Sequence, residues 1–176
     1  MGLIISDFKR RKLNKFKILY SIFLNRGVSA VLIYRISFWC YKHKMKFLAS
    51  LLYQLNVLIN SCEISYSAEI GKGFAIVHPV GVVIASIKAG DNLTVFQNVT
   101  IGKNGKVNSK GLSRPEIKNN VTIYSGAVIA GPLVIGENVI IGANTVVQKD
   151  LPDGSKVIGQ RPSIQYSPVN PVSNVE

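Results

Sequence analysis

The chain has 176 residues, 47% of them apolar, with a formal charge of +12 and two cysteines. That is enough for one domain with a real core, and too few cysteines for a disulfide framework. The charge is uneven: residues 1–50 carry eleven Lys/Arg against the single acid Asp7, and the rest is nearly balanced. No nucleic-acid recognition motif accompanies the charge, so the cations do not define a nucleic-acid reader.

Residues 1–60 read as a helical segment. Phe8, Leu13, Phe16, Leu19, Tyr20 and Phe23 recur near helical spacing among Lys9, Arg10, Arg11, Lys12, Lys15 and Lys17, a basic amphipathic helix. Two readings stay open for it: peripheral contact with an anionic membrane, or packing on the rest of the chain. Asn25-Arg26-Gly27 is expected to end this helix, with Gly27 as the stop. Further helices follow over about 28–41 and 46–59. Their aromatics (Tyr34, Phe38, Trp39, Tyr41, Tyr53) are expected to cap the open end of what comes next. The apolar run from Phe47 to Ile59 is interrupted by Gln54 and Asn56 and is shorter than the roughly 20 residues a membrane span needs.

Residues 61–160 carry a six-residue rhythm. Ile117, Ile123, Ile129, Ile135, Ile141 and Val147 are spaced by six, and so are Ile64, Ile70 and Ile76, then Val83, Ala89, Val95 and Ile101 after a one-residue offset. This period matches neither a helix nor a simple strand. It is the mark of a solenoid in which each hexapeptide gives one short strand and one turn, its anchor stacked on the anchor of the next coil. The segment 103–116 breaks the period and is rich in Lys, Asn, Ser and Gly, so it is expected to protrude as a loop. Residues 161–176 read as an extended tail.

The segments "EISYSAEIGKGFAIVHPVGVVI" (63–84), "LTVFQNVTIGKNGK" (93–106), "RPEIKNNVTIYSGAVIAGPLVIGENVIIGANTVV" (114–147) and "VIGQRPSI" (157–164) resemble the hexapeptide-repeat acyltransferases, in the branch of serine acetyltransferase and its polysaccharide O-acetyltransferase relatives. The resemblance implies a mainly β fold, a left-handed parallel β-helix with an N-terminal α-helical segment. It also implies a homotrimer that uses acetyl-CoA as cosubstrate and transfers acetyl directly to an acceptor hydroxyl; no metal is expected, and the two cysteines read as reduced, mostly buried thiols of a cytoplasmic protein. Such a transfer needs a base for the hydroxyl proton and a group to orient that base.

The chain has two histidines. His43 sits among lysines and reads as a surface residue; His78 occupies the family's catalytic position in "VHPVG". Glu63 stands where serine acetyltransferases have an aspartate, and is the candidate for orienting His78. In the loop the same enzymes carry Arg-His-Pro, and this chain has Ser113-Arg114-Pro115. Arg114 and Ser113 are the candidate acceptor-binding residues. For acetyl-CoA the resemblance points to Gly102, Lys103, Ser125 and Ala143 along the pantetheine arm, and to Lys149, Lys156 and Arg161 at the phosphates. The departures at Glu63 and in the loop turn the expected acceptor from serine towards a sugar hydroxyl of a surface polysaccharide or its precursor. Serine O-acetylation is the alternative, and a non-catalytic trimeric scaffold a second one.

Overall fold

The computed structural model describes residues 2–12, 15–108 and 111–159, with the side chains of 15–19 left aside. Four helices come first: α1 (Gly2–Arg10), α2 (Lys15–Leu24), α3 (Arg26–Lys42) and α4 (Lys46–Asn60). Fourteen short strands follow and wind as a parallel, left-handed β-helix of five coils. Sheet 1 stacks β1 (Cys62–Ile64), β4 (Val82–Ile84), β7 (Thr100–Gly102), β10 (Val128–Ala130) and β13 (Val146–Val147). Sheet 2 stacks β2 (Glu69–Ile70), β5 (Lys88–Ala89), β8 (Glu116–Ile117) and β11 (Val134–Ile135). Sheet 3 stacks β3 (Ala75–Ile76), β6 (Thr94–Val95), β9 (Thr122–Ile123), β12 (Ile140–Ile141) and β14 (Lys156–Val157).

The anchors build the core. Ile64, Ile84, Ile101, Ile129 and Val147 line sheet 1, and Ile76, Val95, Ile123 and Ile141 line sheet 3, all buried. One expected anchor is wrong. Val83 faces outward beside Glu63, and Ile84 takes the inward place on Ile64. The one-residue offset in the sequence resolves into two changes. Eight residues rather than six separate Ile76 from Ile84, and five separate Ile84 from Ala89. The longer corner carries His78. The loop is also one residue shorter than expected, because Glu116 opens β8 and pairs with Lys88. Its Asn108 amide donates to the Pro132 carbonyl and holds it to the coil above.

The helices satisfy the first coil, which has no coil beneath it and would otherwise leave carbonyls bare. Tyr34 donates to the Ala68 carbonyl at 2.8 Å, and Arg35 donates to the carbonyls of Ile70 and Gly71. Arg35 also forms a buried two-point ion pair with Asp7, whose Oδ1 accepts the Phe74 amide as well. Arg10 reaches the Gly73 carbonyl, and Arg11 that of Ile76. The single basic helix expected here is instead two, with α1 ending at Arg10 and α2 beginning at Lys15, and the two cations at the end of α1, Arg10 and Arg11, are docked on the solenoid.

Gly27 does not stop a helix. Asn25 is the N-cap of α3, its side chain accepting from the Val28 amide, and Gly27 lies in the first turn. It is glycine because a β-carbon there would collide with the Ile76 carbonyl, so the helix runs close against β3. Of the aromatics expected to cap the solenoid, Tyr34 is buried against Phe74 at 5.9 Å, whereas Trp39 is half-exposed on the outer side.

Candidate active site

His78 lies on the corner from sheet 3 to sheet 1 and is exposed. Its backbone surroundings are pinned from both sides. The Val77 amide donates to Val95, Gly81 to Ser61 below and Asn98 to Val80 above, while Pro79 accepts from Val82. Gly81 has φ +69°, and a β-carbon there would strike the Asn98 side chain, so the corner turns where only glycine fits easily. The imidazole itself makes no hydrogen bond among the described residues. A corner fixed by backbone hydrogen bonds therefore presents the imidazole to the outside.

Register aligns this base with other predicted residues. Ile76, Val95, Ile123 and Ile141 are paired rung by rung in sheet 3. His78, Gln97, Ser125 and Ala143 each stand two residues beyond one of them. They form one line up the corner at about 4.8 Å per coil. Beside them Phe96 and Tyr124 stack at 4.9 Å. Gln97 was not anticipated, and its Oε1 is buried without a partner among the described residues. Its place two residues past an anchor, level with His78, was the available signal.

Gly102 and Lys103 lie at the other side of sheet 1, on the corner leading to sheet 2. A β-carbon on Gly102 would meet only the Ala85 methyl, at 3.8 Å. The backbone there is open to a thin chain lying against it. Only a three-residue strand separates this edge from the His78 edge, about 10 Å. Lys149 follows β13, and Lys156 is exposed on β14 in sheet 3, so the two stand on different sides of the last coil. Arg161 lies outside the described residues.

Glu63 faces outward from β1, and its Oε2 accepts from Tyr53 at 3.0 Å. Burial first, and then this hydrogen bond, raise the Tyr53 pKa. The Glu63 carboxylate lines a cavity of about 440 Å³ with Ser50, Gln54, Ser65 and Ser67, where α4 meets the solenoid. His78 is not among its lining residues, and the chain makes no hydrogen bond between the two. Tyr53, which was expected only to pack, is thus the hydrogen-bond partner of Glu63. Ser113 is exposed, and Arg114 donates to Ser86 Oγ at 3.2 Å on the corner between sheets 1 and 2. An apolar cleft of about 470 Å³ between α1 and α3, lined by Leu3, Ile4, Ile36, Phe38 and Trp39, holds no group able to take a proton near neutral pH. Among the described residues no cluster of His, Cys, Asp or Glu has the make-up of a metal site.

The class of protein to which this hexapeptide solenoid belongs follows from its likeness to known transferases. Residues 114–149 match the bacterial transferase hexapeptide family (six repeats). The chain is 39% identical over 149 residues to serine acetyltransferase of Helicobacter pylori strain 26695, covering 84% of each. It is 42% identical over 134 residues to serine acetyltransferase of Bacillus subtilis strain 168, covering 76% of this chain and 61% of that one. The solved serine acetyltransferase of Neisseria gonorrhoeae superposes with TM-score 0.77 at 29% identity, over 97% of this chain and 64% of the other. The chain belongs to the serine acetyltransferase branch of the hexapeptide-repeat acetyltransferases. It spans about 61% of the length of its Bacillus relatives.

These findings overturn the expected sugar acceptor, and with it a role in polysaccharide synthesis. The reasons for that expectation were one longer carboxylate and one loop dipeptide. The likeness to serine acetyltransferases runs through 149 residues, including nearly the whole solenoid.

Proposed function

We propose that the protein is an acetyl-CoA-dependent serine O-acetyltransferase. The observation that carries this is the 39% identity to the Helicobacter pylori serine acetyltransferase over 84% of both chains. His78 is the general base: its free imidazole nitrogen takes the proton of the serine hydroxyl as that oxygen attacks the thioester carbonyl carbon. The carbon–sulfur bond breaks, and the imidazolium returns its proton to the departing thiolate. The products are O-acetylserine and coenzyme A.

On this reading Glu63 serves to balance the imidazolium, and Tyr53 holds its carboxylate. Arg114 offers a planar cation suited to the acceptor carboxylate, with Ser113 beside it. Gly102, Lys103, Ser125 and Ala143 give the pantetheine arm a surface of small groups and backbone, and Lys149, Lys156 and Arg161 provide cations for the phosphates.

The protein works as a homotrimer on this reading. Ser125 and Ala143 lie on one edge of sheet 1, and Gly102, Lys103 and Arg114 on the other. A neighbouring copy that sets its far edge against the His78 edge would complete each site. The setting is the cytoplasm, the compartment of the acetyl-CoA pool that the reaction draws on. Coenzyme A release by the purified protein, with serine and then with a panel of sugars and nucleotide sugars, tests the reading. Release with serine and O-acetylserine as product are expected. Release with a sugar but not with serine would overturn it.

A further inference from the structure

α4 is a helix turned inside out. It buries Ala49, Asn56 and Asn60, and Asn56 donates to the Ala30 carbonyl of α3 while Asn60 donates to Asn56. Its outer side exposes Phe47, Leu48, Leu51, Leu55, Leu58 and Ile59, with Phe47 and Leu58 more than 80% accessible. At 3.6 residues per turn these six fall within about 120° of arc. An ordinary surface helix shows the reverse pattern, so this face is built to be covered.

Its charge surroundings select the cover. No acidic residue lies between Asp7 and Glu63 in the sequence. Lys44 and Lys46 are exposed at one end of the stripe, and Arg26 donates to the Ile59 carbonyl at the other. A second copy laid on this face, running antiparallel, would set lysines against arginine, and the carboxylate beside α4, Glu63, is held by Tyr53 on the side of the helix away from the stripe. A surface of phosphate headgroups meets both ends and accepts the apolar stripe between them. No described helix is long and apolar enough to cross a membrane; α4, with 15 residues, is about 22 Å long and suited to lying on one.

We infer that the outer face of α4 is a docking surface for an anionic lipid membrane, with Phe47, Leu51, Leu55 and Leu58 entering the interface and Lys44, Lys46 and Arg26 meeting the headgroups. The membrane contact thereby shifts from the basic stretch 9–17, where Arg10 and Arg11 are held by the solenoid, to a helix the sequence had assigned to packing.

The test is co-sedimentation of the full chain with vesicles of phosphatidylcholine containing phosphatidylglycerol, and with phosphatidylcholine alone, at low and high salt. Light scattering reports the oligomeric state of the same samples. Binding to the anionic vesicles and not the neutral ones, weakened by salt, is expected. Changing Lys44 and Lys46 together to glutamine should weaken it about thirtyfold. The triple change Leu51→Gln, Leu55→Gln, Leu58→Gln should abolish it while leaving the oligomer and the helical signal intact. No binding to anionic vesicles at low salt overturns the inference. A triple variant that still binds, or that falls to a smaller oligomer, overturns it too and gives the face to another surface or a second copy.

Discussion

The solenoid and the helical segment solve the burial problem in opposite ways. In the solenoid nearly every fully buried side chain is apolar, with Thr145 the exception among the described residues. The coils satisfy one another's backbone groups through the parallel ladders. The helices bury Asp7, Ser21, Arg35, Ser37, Asn56 and Asn60, and leave the larger share of the molecule's exposed large apolar side chains on their outer face. Repetition lets a short period specify a core without polar contacts. The helices have no such repeat. They dock on the first coil by hydrogen bonds to its bare carbonyls and by a few apolar side chains such as Val31 and Tyr34, and the apolar residues of their outer face are left uncovered.

The largest effect that probes this contrast is at the ion pair. Asp7→Ala leaves Arg35 buried with only carbonyl partners, and breaking such a pair costs about 3–5 kcal/mol. Urea unfolding followed by circular dichroism should show helix loss ahead of the solenoid transition. A single unshifted transition would mean that the segment is not held by this pair. Next, Ile129→Ala removes a fully buried anchor and should cost about 2–5 kcal/mol. Leu55→Ala, on the outer face of α4, should change the stability of the isolated protein by no more than about 0.5 kcal/mol. Equal losses at the two positions would erase the distinction between the two regions.

The smallest effect concerns Cys62, at the boundary of the two regions. Burial, with a lesser contribution from Glu63, pushes its thiol up to about 12. An acid raised in this way contributes its full stability below the unfolded thiol value near 9 and loses it as pH rises towards the folded one. The folded protein should therefore resist alkylation at Cys62 near pH 8 and weaken only in strongly alkaline buffer. Rapid labelling at neutral pH, located by mass spectrometry, would show that the junction opens.

Six-residue spacing made the solenoid legible because each anchor acts through one buried contact in a fixed place. The same spacing misplaced Val83, since a two-residue excess at one corner and a one-residue deficit at the next leave the sum almost unchanged. Gly27 read as a stop because the sequence shows a missing side chain but not the Ile76 carbonyl that requires it. His78 stood out as a histidine in a turn motif. Gln97 and Tyr53 did not, because one depends on register between coils and the other on how α4 meets β1. The acceptor was misread because two local departures were weighed above the likeness of the whole chain.

The most direct measurement is acetyl transfer to serine by the wild-type protein and by His78→Ala, with the oligomeric state of both checked by light scattering. The account predicts serine-dependent coenzyme A release that falls by about 10²–10⁴-fold in kcat for the variant, with acetyl-CoA affinity and assembly unchanged. A variant within threefold of the wild type would contradict the assignment of the base and of the corner it stands on.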